Sequence, residues 1–126
     1  MAEDALITHT DFVFLPITSF ERAEAFYTGV LGLPLSKRYR GGIGGELETG
    51  NLTILLLDTA KIGREFAPSK GAIALRVDDV EAARATLEGR GVEFQGEPTE
   101  QPYGVDVGFR DTSGNQMRVA QLREMS

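Results

Sequence analysis

At 126 residues, with 41% hydrophobic and 25% charged residues, the chain fits one globular domain large enough to bury a core. It has no cysteine, which excludes a disulfide framework, a zinc knuckle and a thiol nucleophile. A net charge of −6, with 13 scattered Lys and Arg, excludes the basic face that nucleic acid demands; Lys37-Arg-Tyr-Arg40 is the only dense cationic cluster.

Residues 1–10 read as a lead-in that lacks the positive start and apolar centre of a signal peptide. No later run approaches the roughly 20 apolar residues of a membrane span. A cytoplasmic location follows as the expectation, with neither membrane nor nucleic acid as partner. Residues 12–17 carry apolar side chains on both alternations, as in a strand covered on both faces. Thr18 and Glu21 have capping-box spacing, and Phe20, Ala23, Phe26, Tyr27 and Val30 recur at helical spacing before Gly32 and Pro34 end the helix. A short strand through Leu35, a glycine-hinged hairpin loop at 40–45 and a strand at 46–49 come next. Gly50-Asn51 is a two-residue hairpin signal, and 52–57 is the most apolar strand.

After a connector at 58–71 the grammar returns sixty residues on: a strand at 72–77, a cap at Asp78 with Glu81, and a helix facing Val80, Ala83 and Leu87 inward until Gly89 and Gly91. Strands at 92–95, 105–110 and 116–122 follow, with an exposed loop at 96–104 holding Tyr103 between the first two. Gly114-Asn115 stands where Gly50-Asn51 does. Each half is therefore strand-helix-strand-strand-strand. The expected fold is α+β: two tandem βαβββ modules, about 8–57 and 72–122, forming one domain with an eight-stranded mixed-sheet cup and helices outside.

The sequence resembles the vicinal oxygen chelate superfamily of glyoxalase I, extradiol dioxygenases and bleomycin-resistance proteins. The resemblance rests on Phe26-Tyr27 with Val30-Leu-Gly-Leu33, on Ile73-Ala-Leu-Arg-Val-Asp78 and on Asp111-Thr-Ser-Gly-Asn115, in that order. Metal-dependent members of that family place four His and Glu ligands in the cup. The corresponding positions here are Phe12, Ile54, Ala72 and Arg118, none of which ligates a divalent cation. The lone histidine, His9, lies three residues before the first of them and has no partners that would make it a site. The resemblance thus implies the metal-free, bleomycin-resistance-like branch, with no cofactor and a homodimer whose cup is shared between chains or contained in one.

Strand alternation places Phe12, Phe14, Leu52, Ile54 and Leu56 in the cup from the first module. Ala72, Ala74, Arg76, Gln116, Arg118 and Ala120 face it from the second. Arg76 and Arg118 either bond to Glu46, Glu48 or Asp106 and brace the sheets, or meet a bound molecule. Tyr39 and Tyr103 stand on loops that could form the lips. The expected ligand-binding set is therefore Phe12, Phe14, Tyr39, Ile54, Leu56, Arg76, Tyr103, Asp106 and Arg118. The expected function is sequestration of an apolar or aromatic, possibly anionic, small molecule such as a natural product, as in antibiotic resistance. The alternatives are a metal-dependent glyoxalase- or dioxygenase-type enzyme, and a metal-free enzyme using Asp106, Glu46 or Glu48 with a carboxyl pKa raised by burial.

Overall fold

The computed structural model describes residues 6–123, so the expected lead-in falls partly outside it. Strand β1 (Val13–Ile17) enters α1 (Phe20–Glu24), which continues as a π-helical stretch at Ala25–Val30. Then come β2 (Leu35–Arg38), a 3₁₀ turn at Arg40–Gly42, β3 (Gly44–Glu48), β4 (Thr53–Asp58) and a second 3₁₀ turn at Thr59–Ile62. The second module repeats the order as β5 (Ile73–Arg76), α2 (Val80–Glu88), β6 (Phe94–Gln101), β7 (Gly104–Arg110) and β8 (Gln116–Leu122).

The eight strands form two four-stranded sheets, ordered β1-β4-β3-β2 and β5-β8-β7-β6. In each, the first strand lies parallel to the last of its module and the other pairs are antiparallel. The duplicated α+β architecture read from the sequence is therefore present, with its strands divided between two sheets.

Both helix starts lie one residue beyond the expected caps. Ser19 accepts from the Arg22 amide at 3.2 Å, and Asp79 accepts from Glu81 and Ala82 at 3.0 and 3.1 Å. Ser19 and Asp79 carry the extended backbone an N-cap needs. Thr18 is drawn instead to the other module, where its amide donates to Ser113 Oγ at 3.0 Å.

The segment expected as an exposed loop at 96–104 is mostly strand. β6 pairs with β7 on either side of a register shift between Gln95 and Thr99. The shift holds Gly96, at φ +83°, and Pro98, which has no amide to donate to a ladder. The glycine-rich stretch before Glu46 also differs from a loop, since Gly44 and Gly45 are buried inside β3.

One core joins the modules. Leu15, Ile17, Leu47, Ile54 and Leu56 of the first sheet share it with Val107, Phe109, Met117 and Val119 of the second. Tyr27 is fully buried and donates to Asp111 Oδ2 at 2.6 Å, while Asn115 Nδ2 donates to the Pro16 carbonyl at 2.6 Å. Phe26 packs on Phe109 with ring centres 6.3 Å apart. The helix of the first module is thus anchored in the second.

Candidate functional site

Strand register decides which side chains share the face away from this core. In the first sheet Phe14 stands beside Leu55, and Leu55 beside Glu46, with Lys37 next across β2. Leu57 and Thr53 flank Leu55 on that face, and Glu48 lies opposite Thr53. Phe12 and Phe14 are 51% and 39% exposed, whereas Leu55 and Leu57 are half-buried.

This corrects two of the expected lining residues. Ile54 and Leu56 are wholly buried in the core, on the helix side of β4. The run Ile54-Leu-Leu-Leu57 is apolar at every position, so it carries no alternation to read; the pairing of Val13 with Ile54 sets the parity. The β4 positions on the face away from the core are Leu55 and Leu57. Phe12, Leu52 and Ala72 precede β1, β4 and β5, so none of the three belongs to a strand.

In the second sheet the sequence-based faces match the register. Ala74 pairs with Arg118, and Arg118 with Gly108, which pairs with Gln95. Arg76, Ala120, Asp106 and Thr99 form the next row, and Gln116 lies opposite Arg110. Gln95 and Gly108 were not legible as site residues, since Gly108 has no side chain to flag and Gln95 lies before an unrecognised bulge.

Arg118 and Asp106 form the polar centre of this face. Arg118 Nε donates to Asp106 Oδ2 at 2.6 Å and Nη2 donates to Oδ1 at 2.9 Å, the fork-to-carboxylate geometry. Gln101 Nε2 donates to Asp106 Oδ1 at 3.4 Å, and the Tyr103 hydroxyl donates to Oδ2. The hydrogen bonds from Arg118 hold the Asp106 carboxyl below its usual range against the opposing pull of burial, with Tyr103 adding to the effect. The Tyr103 hydroxyl is pushed up by the carboxylate it serves. The bracing alternative is therefore realised for Arg118, but between neighbouring strands of one sheet rather than between sheets. Arg76 is exposed and has no hydrogen bond or ion pair among the described residues.

The first sheet carries a related arrangement. The Tyr39 hydroxyl donates to Glu46, as Tyr103 does to Asp106. Glu48 accepts from Ser36 at 2.5 Å and Thr53 at 2.7 Å, and these two hydrogen bonds lower its pKa. Tyr39 and Tyr103 therefore lie over their own sheets, each fixed to a carboxylate.

A family metal does not fit this face. Phe14, Leu55 and Ala74 offer no donor atom, and Arg118 brings a positive charge. Among the described residues no three His, Cys, Asp or Glu side chains come together as a ligand set. His9 Nε2 lies 2.9 Å from Asp11 Oδ1, with both side chains largely exposed.

Residues 7–119 match the family model of the Glyoxalase/Bleomycin resistance protein/Dioxygenase superfamily. The chain belongs to that superfamily. Among solved structures, TnmS3, an antibiotic binding protein from Streptomyces sp. CB03234, is 27% identical with a TM-score of 0.77, covering 94% of this chain and 99% of its own. A glyoxalase/bleomycin resistance protein from the same Streptomyces strain is 29% identical with a TM-score of 0.68, covering 89% of this chain and all of its own (100%). Lactoylglutathione lyase from Agrobacterium tumefaciens, at 22% identity, a TM-score of 0.75 and coverage of 92% of this chain and 95% of its own, shares the fold. Comparison with curated protein sequences gives no match.

Proposed function

We propose that this chain binds and sequesters an apolar or aromatic natural product without a metal, as a homodimer whose cups form between facing sheets. The observation that carries the reading is the face just described. It presents Phe14 and Leu55 on the first sheet and Ala74 on the second, none of which can ligate a metal, with a few fixed polar groups around them. An apolar concavity with sparse, convergent polar groups is the usual form of a small-molecule site. Similarity to an antibiotic binding protein over 94% of the chain supports the same class of ligand.

Binding would work by removing aromatic surface from water, worth about 25 cal/mol for each Å² buried. Phe12 and Phe14 supply flat packing partners, while Arg118 and the two glutamines supply orientation. A metal-free acid–base mechanism is less well supported. It needs a carboxyl group poised near neutral pH, whereas Asp106 and Glu48 are both held lower by donated hydrogen bonds.

The test is a calorimetric titration of the purified protein with a panel of planar aromatic natural products, with and without a chelator. The expected outcome is stoichiometric binding at about 1 µM or tighter, unchanged by the chelator and with the ligand recovered intact. Consumption of the ligand, or binding abolished with loss of stoichiometric zinc, nickel, iron or manganese, would overturn the reading.

A further inference from the structure

Gly108 lies in the interior of β7, and the place its side chain would occupy is already taken. A Cβ there would stand 2.7 Å from Gln95 Oε1, 2.9 Å from Gln116 Nε2 and 3.3 Å from Arg118 Nη1. A glycine within a strand weakens it and commonly marks a place where another group comes close to the backbone. Here three polar side-chain ends converge over bare backbone, with the Gln95 and Gln116 amides 2.6 Å apart.

Arg118 is held by only two of its three nitrogens. Nε and Nη2 are engaged by Asp106, whereas Nη1 makes no hydrogen bond among the described residues. The Arg118 side chain is 31% exposed and that of Asp106 is wholly buried. The face therefore offers a fixed N–H donor whose charge is already balanced underneath.

We propose that the Arg118 guanidinium over Gly108, charge-balanced by Asp106, is a carbonyl-recognising station that selects neutral, oxygen-bearing aromatic ligands over carboxylates. The inference rests on the small-molecule reading above and narrows it. A ligand carboxylate at Nη1 would lie close to the buried carboxylate of Asp106. Inside the closed cup of the proposed homodimer, where solvent screens less, that repulsion offsets the attraction to Arg118, and the ligand's own desolvation is left uncompensated. A ketone, ester or quinone oxygen accepts the same hydrogen bond without either cost.

The probes are two fluorescent compounds that differ by one methyl group and the charge it removes: methyl anthracene-2-carboxylate, which is neutral, and anthracene-2-carboxylate. Both are titrated into the protein at pH 7.5. The ester is expected to bind about tenfold or more tightly than the acid. Since apolar sites in general favour the ester, the deciding arm is Asp106→Asn, which removes the balancing charge and should narrow that gap by about tenfold.

Gly108→Ala gives an independent arm, because it displaces the flexible ends of Arg118, Gln95 and Gln116 while keeping both charges. It should weaken the ester by about tenfold and the acid far less. Equal or tighter binding of the acid by the native chain would overturn the inference. So would an unchanged gap in Asp106→Asn or, if that variant fails to fold, equal weakening of both probes by Gly108→Ala. Binding of neither probe would remove the small-molecule reading together with the inference, whereas indifference between the probes would remove the inference alone.

Discussion

Tyr27 shows how one side chain can hold two modules together. Its ring is buried against Phe26, edge-on with centres 5.4 Å apart, and its hydroxyl donates to Asp111. Asp111 also accepts from the Asn115 amide at 2.8 Å and from Asn115 Nδ2 at 2.9 Å. Burial, and then the neighbouring charge of Asp111, push the Tyr27 pKa far above its ordinary value. The neutral phenol is thus favoured by folding. Its contribution is complete below the unfolded value of about 10 and is lost as pH rises beyond it. Tyr27→Phe is therefore expected to lower stability by about 1–2 kcal/mol at pH 7. Urea unfolding at pH 7 and pH 11 checks this: the native chain should lose more stability between the two than the variant does. An equal loss in both would mean that the alkaline sensitivity arises elsewhere.

At the scale of elements, two glycines on corresponding strands of the two sheets should behave in opposite ways. Gly44 of β3 faces backbone: a Cβ there would stand 1.9 Å from the Leu56 carbonyl oxygen, which has no room to move. Gly108 of β7 faces only the ends of long polar side chains. Gly44→Ala is accordingly expected to cost more than about 3 kcal/mol or to prevent folding, and Gly108→Ala less than about 1 kcal/mol. Thermal unfolding of the two variants measures the difference, and similar melting temperatures would refute the contrast.

The same elements show what the sequence could and could not convey. The two modules were legible because the helix stripe of Phe20, Ala23 and Tyr27 and the later one of Val80 and Leu87 recur with turn residues at matched places. The second sheet's face was legible because Gln116, Arg118 and Asp106 alternate with apolar neighbours. The parity of β4 was hidden by four consecutive apolar residues, and parity there is a property of the pairing with β1. Ser19 displaced Thr18 as the first cap because Ser113 of the other module competes for Thr18, a contact that no local pattern encodes; nothing in the structure explains why Asp79 rather than Asp78 caps the second helix. The extent of β6 was obscured by Gly96 and Pro98, which interrupt the ladder without ending the strand.

For the whole molecule, the hydrogen bonds joining the modules lie at strand ends and on the helix side: Thr18 to Ser113, Tyr27 to Asp111, Asn115 to Pro16, and Arg90 to the Val30 carbonyl at 2.7 Å. Among the described residues none joins the Phe14–Leu55–Glu46 row to the Ala74–Arg118–Gly108 row. Phe14 is 39% exposed and Ala74 and Arg76 are exposed, so each sheet face is open at these strands, and the proposed homodimer would close a cup by setting the first sheet of one chain against the second sheet of its partner. This arrangement makes a complementation prediction. Leu55→Glu spoils the first face and Gly108→Ala the second, so each variant homodimer lacks an intact cup. A heterodimer of the two, isolated through different affinity tags, would contain one intact cup and one doubly altered cup. It should bind one ligand per dimer with native affinity, against two for the native homodimer. If instead each cup were built within a single chain, every cup of the heterodimer would carry one lesion, and a titration would find no native-affinity site.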